Sequence, residues 1–251
     1  MEQKVPDTVE PGSISAVVRA GLGAEEAGRL LALVRPSVGF TVRPDLADAE
    51  SVIGGAPSAP ESFVWPDYQG EPMLLLAQVD CGQAARLLGE DWTLPADGRL
   101  LFFHDDDFSA RFSFDDGDDG CRVLHVPAGA EAMTEQGRGR VIPALPLEAR
   151  ALPSVPGWEE TEAYDAAGGD VMALLALDEA LSALLPRPRH RLLGWCDTGD
   201  TPRPQGHRPL LQLEAEAGTA WGEVVNVSFW IREGDLRTGD LSRVRRSYEV
   251  A

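Results

Sequence analysis

Seven aspartates and a single arginine fall between Asp105 and Asp119, and carboxylate oxygens at that density are what a hard cation such as calcium takes as ligands. The spacing argues otherwise. In DDGDDG at 115–120 an EF-hand register would put Gly117 third and Val126 twelfth, removing two ligands that such a loop supplies. Asp105, Asp107, Asp115 and Asp119 are the calcium candidates, set against a simpler reading as a solvated, charge-decorated hairpin. Cys121 and His125, four apart, share one side of a strand. Two ligands do not make a zinc site, and no CxxC or HxxxH spacing supplies the others.

Covalent and nucleotide chemistry find less support. The sequence contains no G-x-S-x-G elbow and no Walker lysine motif, and GLGAEEAG at 21–28 fails the dinucleotide spacing. No cofactor is called for. Two amides stand out instead, Gln78 in LLLAQVD and Gln212 in LLQLE, because an amide on an apolar strand must find partners or face an accessible cleft. With Asp80, Trp65, Trp195 and Trp221 they form the candidate ligand set. Each has a plainer role: amides satisfying loop backbone, Asp80 capping a helix, indoles filling a core.

The elements that would position these residues follow from periodicity. Residues 1–12 read as a flexible tail, and 13–251 as one domain. Ala27, Leu30, Leu31 and Val34 recur at helical spacing within 24–35, with Glu25 and Glu26 in the first turn and Pro36 as the stop. Leu74–Asp80 is a strand whose alternation puts Leu75, Ala77 and Val79 on one face, and Leu74, Leu76, Gln78 and Asp80 on the other. Asp80 is placed to cap a short helix containing Ala84, Leu87 and Leu88. Strands at 99–104, 110–114 and 122–126, with tight acidic links, predict an antiparallel meander.

From 127 to 163 Pro, Gly, Ala and Glu dominate, and the stretch reads as a connection between an N-terminal half (13–126) and a C-terminal half (164–251). Asp170 opens a second helix carrying Leu174, Leu177 and Leu181. Strands follow at 190–195, 210–214 and 224–231. LAQVD at 76–80 aligns with LLQLE at 210–214, and GRLLFF at 98–103 with VNVSFW at 225–230. A duplication would explain the echo, and so would chance likeness between short apolar strands.

Composition narrows the partners. Forty-one acidic against 22 basic residues give a net charge of −19, which repels phosphate backbones and anionic lipid and excludes nucleic acid and membrane surfaces as expected partners. A basic protein or a small molecule fits. Three scattered cysteines, no leader-like N-terminus and no long uninterrupted apolar run give the expectation of a cytoplasmic protein. Arg232, Arg237, Arg243, Arg245 and Arg246 make the C-terminus the basic exception, and surface neutralisation is the simplest account.

Taken in order, IGGAPSAPESFVWP at 53–66, PMLLLAQVD at 72–80, GRLLFFHDDD at 98–107, HRLLGWCD at 190–197 and VSFWIREGDL at 227–236 resemble the YwqG-like family, over roughly 50–250. The resemblance implies an α+β fold of largely antiparallel curved sheet with a few helices, in a cytoplasmic bacterial protein. It implies no catalytic residues. Family members occur near toxin and immunity systems, which implies a binding role. Two readings therefore compete: an interaction module, an immunity or regulatory protein for a basic partner, and a small-ligand binder or enzyme with a cleft between the two β-rich halves.

Overall fold

The computed structural model describes residues 11–57, 59–60, 62–105, 120–129, 141–185, 188–196, 203–219, 221 and 224–250. In chain order the elements are α1 (Pro11–Gly21), α2 (Ala24–Leu31), β1 (Arg35–Val42), β2 (Ser51–Ile53), β3 (Asp67–Tyr68), β4 (Glu71–Pro72), β5 (Leu74–Asp80), α3 (Cys81–Leu88), β6 (Arg99–His104) and β7 (Cys121–Val126). There follow β8 (Leu145–Ser154), α4 (Thr161–Ala166), α5 (Val171–Leu184), β9 (His190–Leu193), β10 (His207–Glu214), β11 (Val224–Arg232), α6 (Glu233–Thr238) and β12 (Arg245–Val250).

Ten strands form one antiparallel sheet in the order β12-β11-β10-β9-β1-β8-β2-β5-β6-β7. It curls until its two ends nearly meet. Phe102 of β6 packs edge-on against Phe229 of β11, ring centroids 5.1 Å apart. The Cys121 thiol of β7 donates to the Val244 carbonyl at 3.4 Å, just before β12. Inside the curl lies α3, whose Cys81, Ala84 and Leu88 share one core with Val38, Phe40, Phe102, Leu211 and Phe229. Asp80 starts that helix as expected, its carboxylate accepting from the Gln83 N–H at 2.7 Å.

β5 is buried along nearly its whole length, because its inner face meets this core while Leu75 belongs to a second cluster with Leu101, Phe103, Ala59 and Trp65. The expected alternation needs correction. A register shift between Leu75 and Ala77 moves Leu75 away from Ala77 and Val79, and leaves Leu74 and Leu76 in the main core beside them. A β-bulge adds one residue to a strand, so the two-residue period breaks there.

The expected connection at 127–163 also needs correction, since it contains β8, which pairs with β1 over eight rungs at the sheet's centre. Its prolines are placed where a ladder tolerates them. Pro36 and Pro153 oppose each other, so both missing N–H groups fall on one rung, and the Pro146 carbonyl still accepts from Arg43 N at 2.9 Å. The strand expected at 110–114 lies outside the described residues.

Each leading strand, β1 or β8, is followed in the chain by four more strands of the large sheet, and the two sets occupy opposite flanks of the β1–β8 pair. Gln78 pairs with Leu101 and Val52, whereas Gln212 pairs with Ser228 and Arg191. Each first flanking strand ends in two consecutive left-handed residues, Gly54–Gly55 (φ 63° and 74°) and Leu193–Gly194 (φ 59° and 78°). At Gly54 a side chain is excluded twice, by that φ and by the Ile142 carbonyl 2.6 Å from where a Cβ would stand.

Helices α1, α2, α4 and α5 make a separate apolar cluster around Val18, Ala27, Leu30, Ala163, Leu174 and Leu177. Asp170 caps α5 by accepting from Ala173 N at 2.9 Å. No helix among the described residues is long and apolar enough to cross a membrane.

Candidate functional site

The six candidate ligand residues hold the fold together at separate places. Gln78 Nε2 donates to the Gly54 carbonyl at 2.8 Å and so clamps the left-handed turn after β2. Trp65 donates to the Met73 carbonyl at 2.8 Å and lies edge-on to Phe103. Trp195 donates to the Leu33 carbonyl at 2.8 Å beneath the Arg35 guanidinium, 3.5 Å above its ring. Trp221 belongs to the main core, Asp80 caps α3, and Gln212 is buried. At the junction between the halves Phe102 packs against Phe229, and none of the six lines either of the two clefts described below.

The metal candidates resolve similarly. Asp105 is buried, 2.9 Å from His104 Nδ1 and 3.4 Å from Arg246 Nη2. The Arg246 guanidinium in turn lies 4.8 Å from the Tyr248 ring. This network joins β6 to β12 where the sheet closes, and burial holds the His104 imidazole below its usual range against the pull of Asp105. Asp107, Asp115 and Asp119 lie outside the described residues. Cys121 and His125 stand four residues apart on β7, about 13 Å at 3.3 Å per residue. That is too far to share an ion, and His125 Nε2 already bonds the Asp97 carbonyl at 2.8 Å. Among the described residues no group of three or more His, Cys, Asp or Glu is placed to hold a metal. All three thiols are buried and free of disulfides, and desolvation ahead of the Asp80 charge pushes Cys81 up to about 12.

One buried row differs in chemistry between the flanks. Val52, Gln78, Leu101 and Leu124 stand in register across β2, β5, β6 and β7, while Arg191, Gln212, Ser228 and Ser247 do so across β9, β10, β11 and β12. The second row is polar and buried throughout. Arg191 Nη1 donates to Ser37 Oγ at 2.8 Å, Ser37 Oγ donates to the Leu152 carbonyl at 2.8 Å, and Cys196 Sγ sits 3.6 Å from Ser228 Oγ.

Two clefts remain. A shallow one of about 370 Å³ lies where α3 meets β1 and β8, lined by Val34, Pro36, Leu87, Leu88, Ala151 and Pro153 with Asp91 at its edge. The other is a groove of about 60 Å³ between α5 and the 153–159 segment. Leu174, Leu177 and Leu181 line its helical side, Trp158 and Glu159 line the opposite side, and Arg191 and Cys196 also line it. Sequence reasoning missed Trp158 and Arg191. Trp158 lay inside the stretch taken for a connection, and an arginine in HRLLGW carries no signal that it will be buried.

The profile described as "Domain of unknown function (DUF1963)" matches residues 51–249. The chain belongs to this DUF1963 family. No curated protein matches the chain. The DUF1963 match begins with β2 and ends within β12, so α1, α2 and β1 precede it.

The surface beside the groove is strongly biased in this DUF1963 chain. Residues 159–184 hold seven acids (Glu159, Glu160, Glu162, Asp165, Asp170, Asp178 and Glu179) and no lysine or arginine. Glu160 is buried and paired with Arg203 at 2.5 Å, and burial raises its pKa despite that partner. Glu159, Glu162, Asp165, Asp170 and Glu179 are exposed and make no ion pair among the described residues. Trp158, Tyr164, Val171, Met172 and Leu175 are five of the nine large apolar side chains exposed among the described residues. Clusters of exposed apolar side chains rimmed by charge mark interaction surfaces.

Proposed function

We propose that the protein is an interaction module that uses its acidic helical layer to recruit a basic protein partner, as a cytoplasmic immunity or regulatory protein would. The observation that carries this reading is the pairing of exposed acids with exposed apolar side chains on and beside α4 and α5. A net charge of −19 raises the encounter rate with a cation over long distances, and the apolar side chains supply the area that holds the complex. The packing of Phe102 against Phe229 at the junction of the flanks is compatible with the same reading. The topology and the matched left-handed turns support descent of the two flanks from one duplicated unit, within a YwqG-like fold.

Binding of lysine-rich and glutamate-rich peptides of equal length, titrated at low and high salt, tests the reading. The lysine-rich peptide alone should bind, and its affinity should fall steeply with salt. Equal binding of both peptides, or of neither, would overturn it.

A further inference from the structure

The basic-partner reading leaves the docking site and the partner's shape open, and the inference that follows rests on that reading. We infer that the groove between α5 and the 153–159 segment receives a cationic amphipathic helix of the partner. The first support is the pattern on α5 itself. Val171, Leu175, Asp178 and Ser182 stand at i, i+4, i+7 and i+11 and form one stripe along the helix. Asp178 and Ser182 line the groove, while Val171 and Leu175 are each 37% exposed. Val171 and Leu175 thus place apolar surface on α5 directly before the polar Asp178 and Ser182 at the groove, and Met172, 73% exposed, lies on the neighbouring face.

A helix that is apolar nearly all round belongs in an interior. VMALLAL at 171–177 is such a sequence, yet only Leu174 and Leu177 of its large side chains are buried. A cationic cover complements the exposed Glu159 and Glu179, which stand on the two elements that frame the groove. A second copy of this chain brings another −19 charge and is disfavoured by repulsion.

The shape of the site selects a helix. α5 has 14 residues, about 21 Å at 1.5 Å per residue, so a partner helix of similar length lies along it with apolar residues at i, i+3, i+4 and i+7. The groove is small, about 60 Å³, enough for the end of one aliphatic side chain inserted beside Trp158. Trp158 and Met172 suit the role, since a rigid indole and a flexible thioether both adapt to an incoming apolar face.

The test uses the full chain and two labelled peptides of identical composition, leucine and lysine. One is ordered with helical amphipathic spacing and the other is scrambled. Fluorescence anisotropy should show the amphipathic peptide binding at least about tenfold more tightly. Leu175→Asp, at an exposed position, should remove that preference while leaving the unfolding temperature of the free protein unchanged. Trp158→Ala should do the same. If both peptides bind equally and neither variant matters, the groove is not the docking site, although acidic recruitment stands. If neither peptide binds even at low salt, the basic-partner reading falls along with it.

Discussion

Replacing Gln78 by leucine separates a structural clamp from a ligand-binding amide. Gln78 Nε2 donates to the Gly54 carbonyl at 2.8 Å, and both residues are buried. Leucine has similar volume but no donor, so the Gly54 carbonyl loses a bond that water cannot replace. An orphaned buried acceptor costs about 1–3 kcal/mol. For a protein of this size 1 kcal/mol moves the melting temperature by about 2–4 °C, so Gln78→Leu should melt about 2–12 °C below the parent. Urea titration should show a lower midpoint with an unchanged slope, because the surface exposed on unfolding is the same. A variant as stable as the parent would refute the clamp and return Gln78 to the list of ligand residues.

Three further outcomes follow from the same geometry. Asp170→Ala removes the cap that accepts from Ala173 N and should cost about 0.5–2 kcal/mol in urea titration. Asp105→Ala strips the carboxylate between His104 and Arg246, whose side chains are 0% and 1% exposed. It should cost about 3–5 kcal/mol, and a loss under 1 kcal/mol, below that range, would show that the closing seam does not depend on this network. Burial, with Arg189 adding to it, pushes His190 down to about 4 from 6.5. The unfolded chain therefore binds the extra proton between those pH values, and stability falls as pH drops from about 6.5 towards 4. The difference between 6.5 and about 4 limits the loss to about 3.4 kcal/mol. His190→Gln should flatten that part of the pH profile.

What the sequence disclosed depended on whether one local signal sufficed. β5, β6 and β10 each carry consecutive apolar residues, LLLA, LLFF and LL, and Asp80 and Asp170 announce the helices they cap, so all five were readable. β1 and β8 were not. RPSVGFTV and LPLEARALPS carry proline and glycine that argue against strands when read alone. They succeed as strands because each provides the other's partner, and because Gly39 lets Leu152 and Pro188 pack where a Cβ would stand. Hydrophobic spacing could not disclose β12 either. RRSYEV has an arginine that becomes buried only when the sheet curls and brings Asp105 to it.

The candidate residues stood out for a related reason. Gln78, Asp80 and Trp195 were conspicuous as polar or amphipathic groups in apolar surroundings, and each proved to be occupied with nearby backbone. Trp158 and the exposed stripe of α5 looked ordinary, because an apolar helix reads as core whether or not something covers it. Their significance comes from their exposure among the described residues, which a sequence does not reveal.

Hydrogen–deuterium exchange on the full chain, with and without the amphipathic leucine–lysine peptide, addresses the central claim most directly. Docking on the acidic helical layer predicts slower exchange across 153–182 and no change in 54–73 on the opposite flank. Protection centred elsewhere, or an exchange pattern that the peptide leaves unaltered, would contradict it.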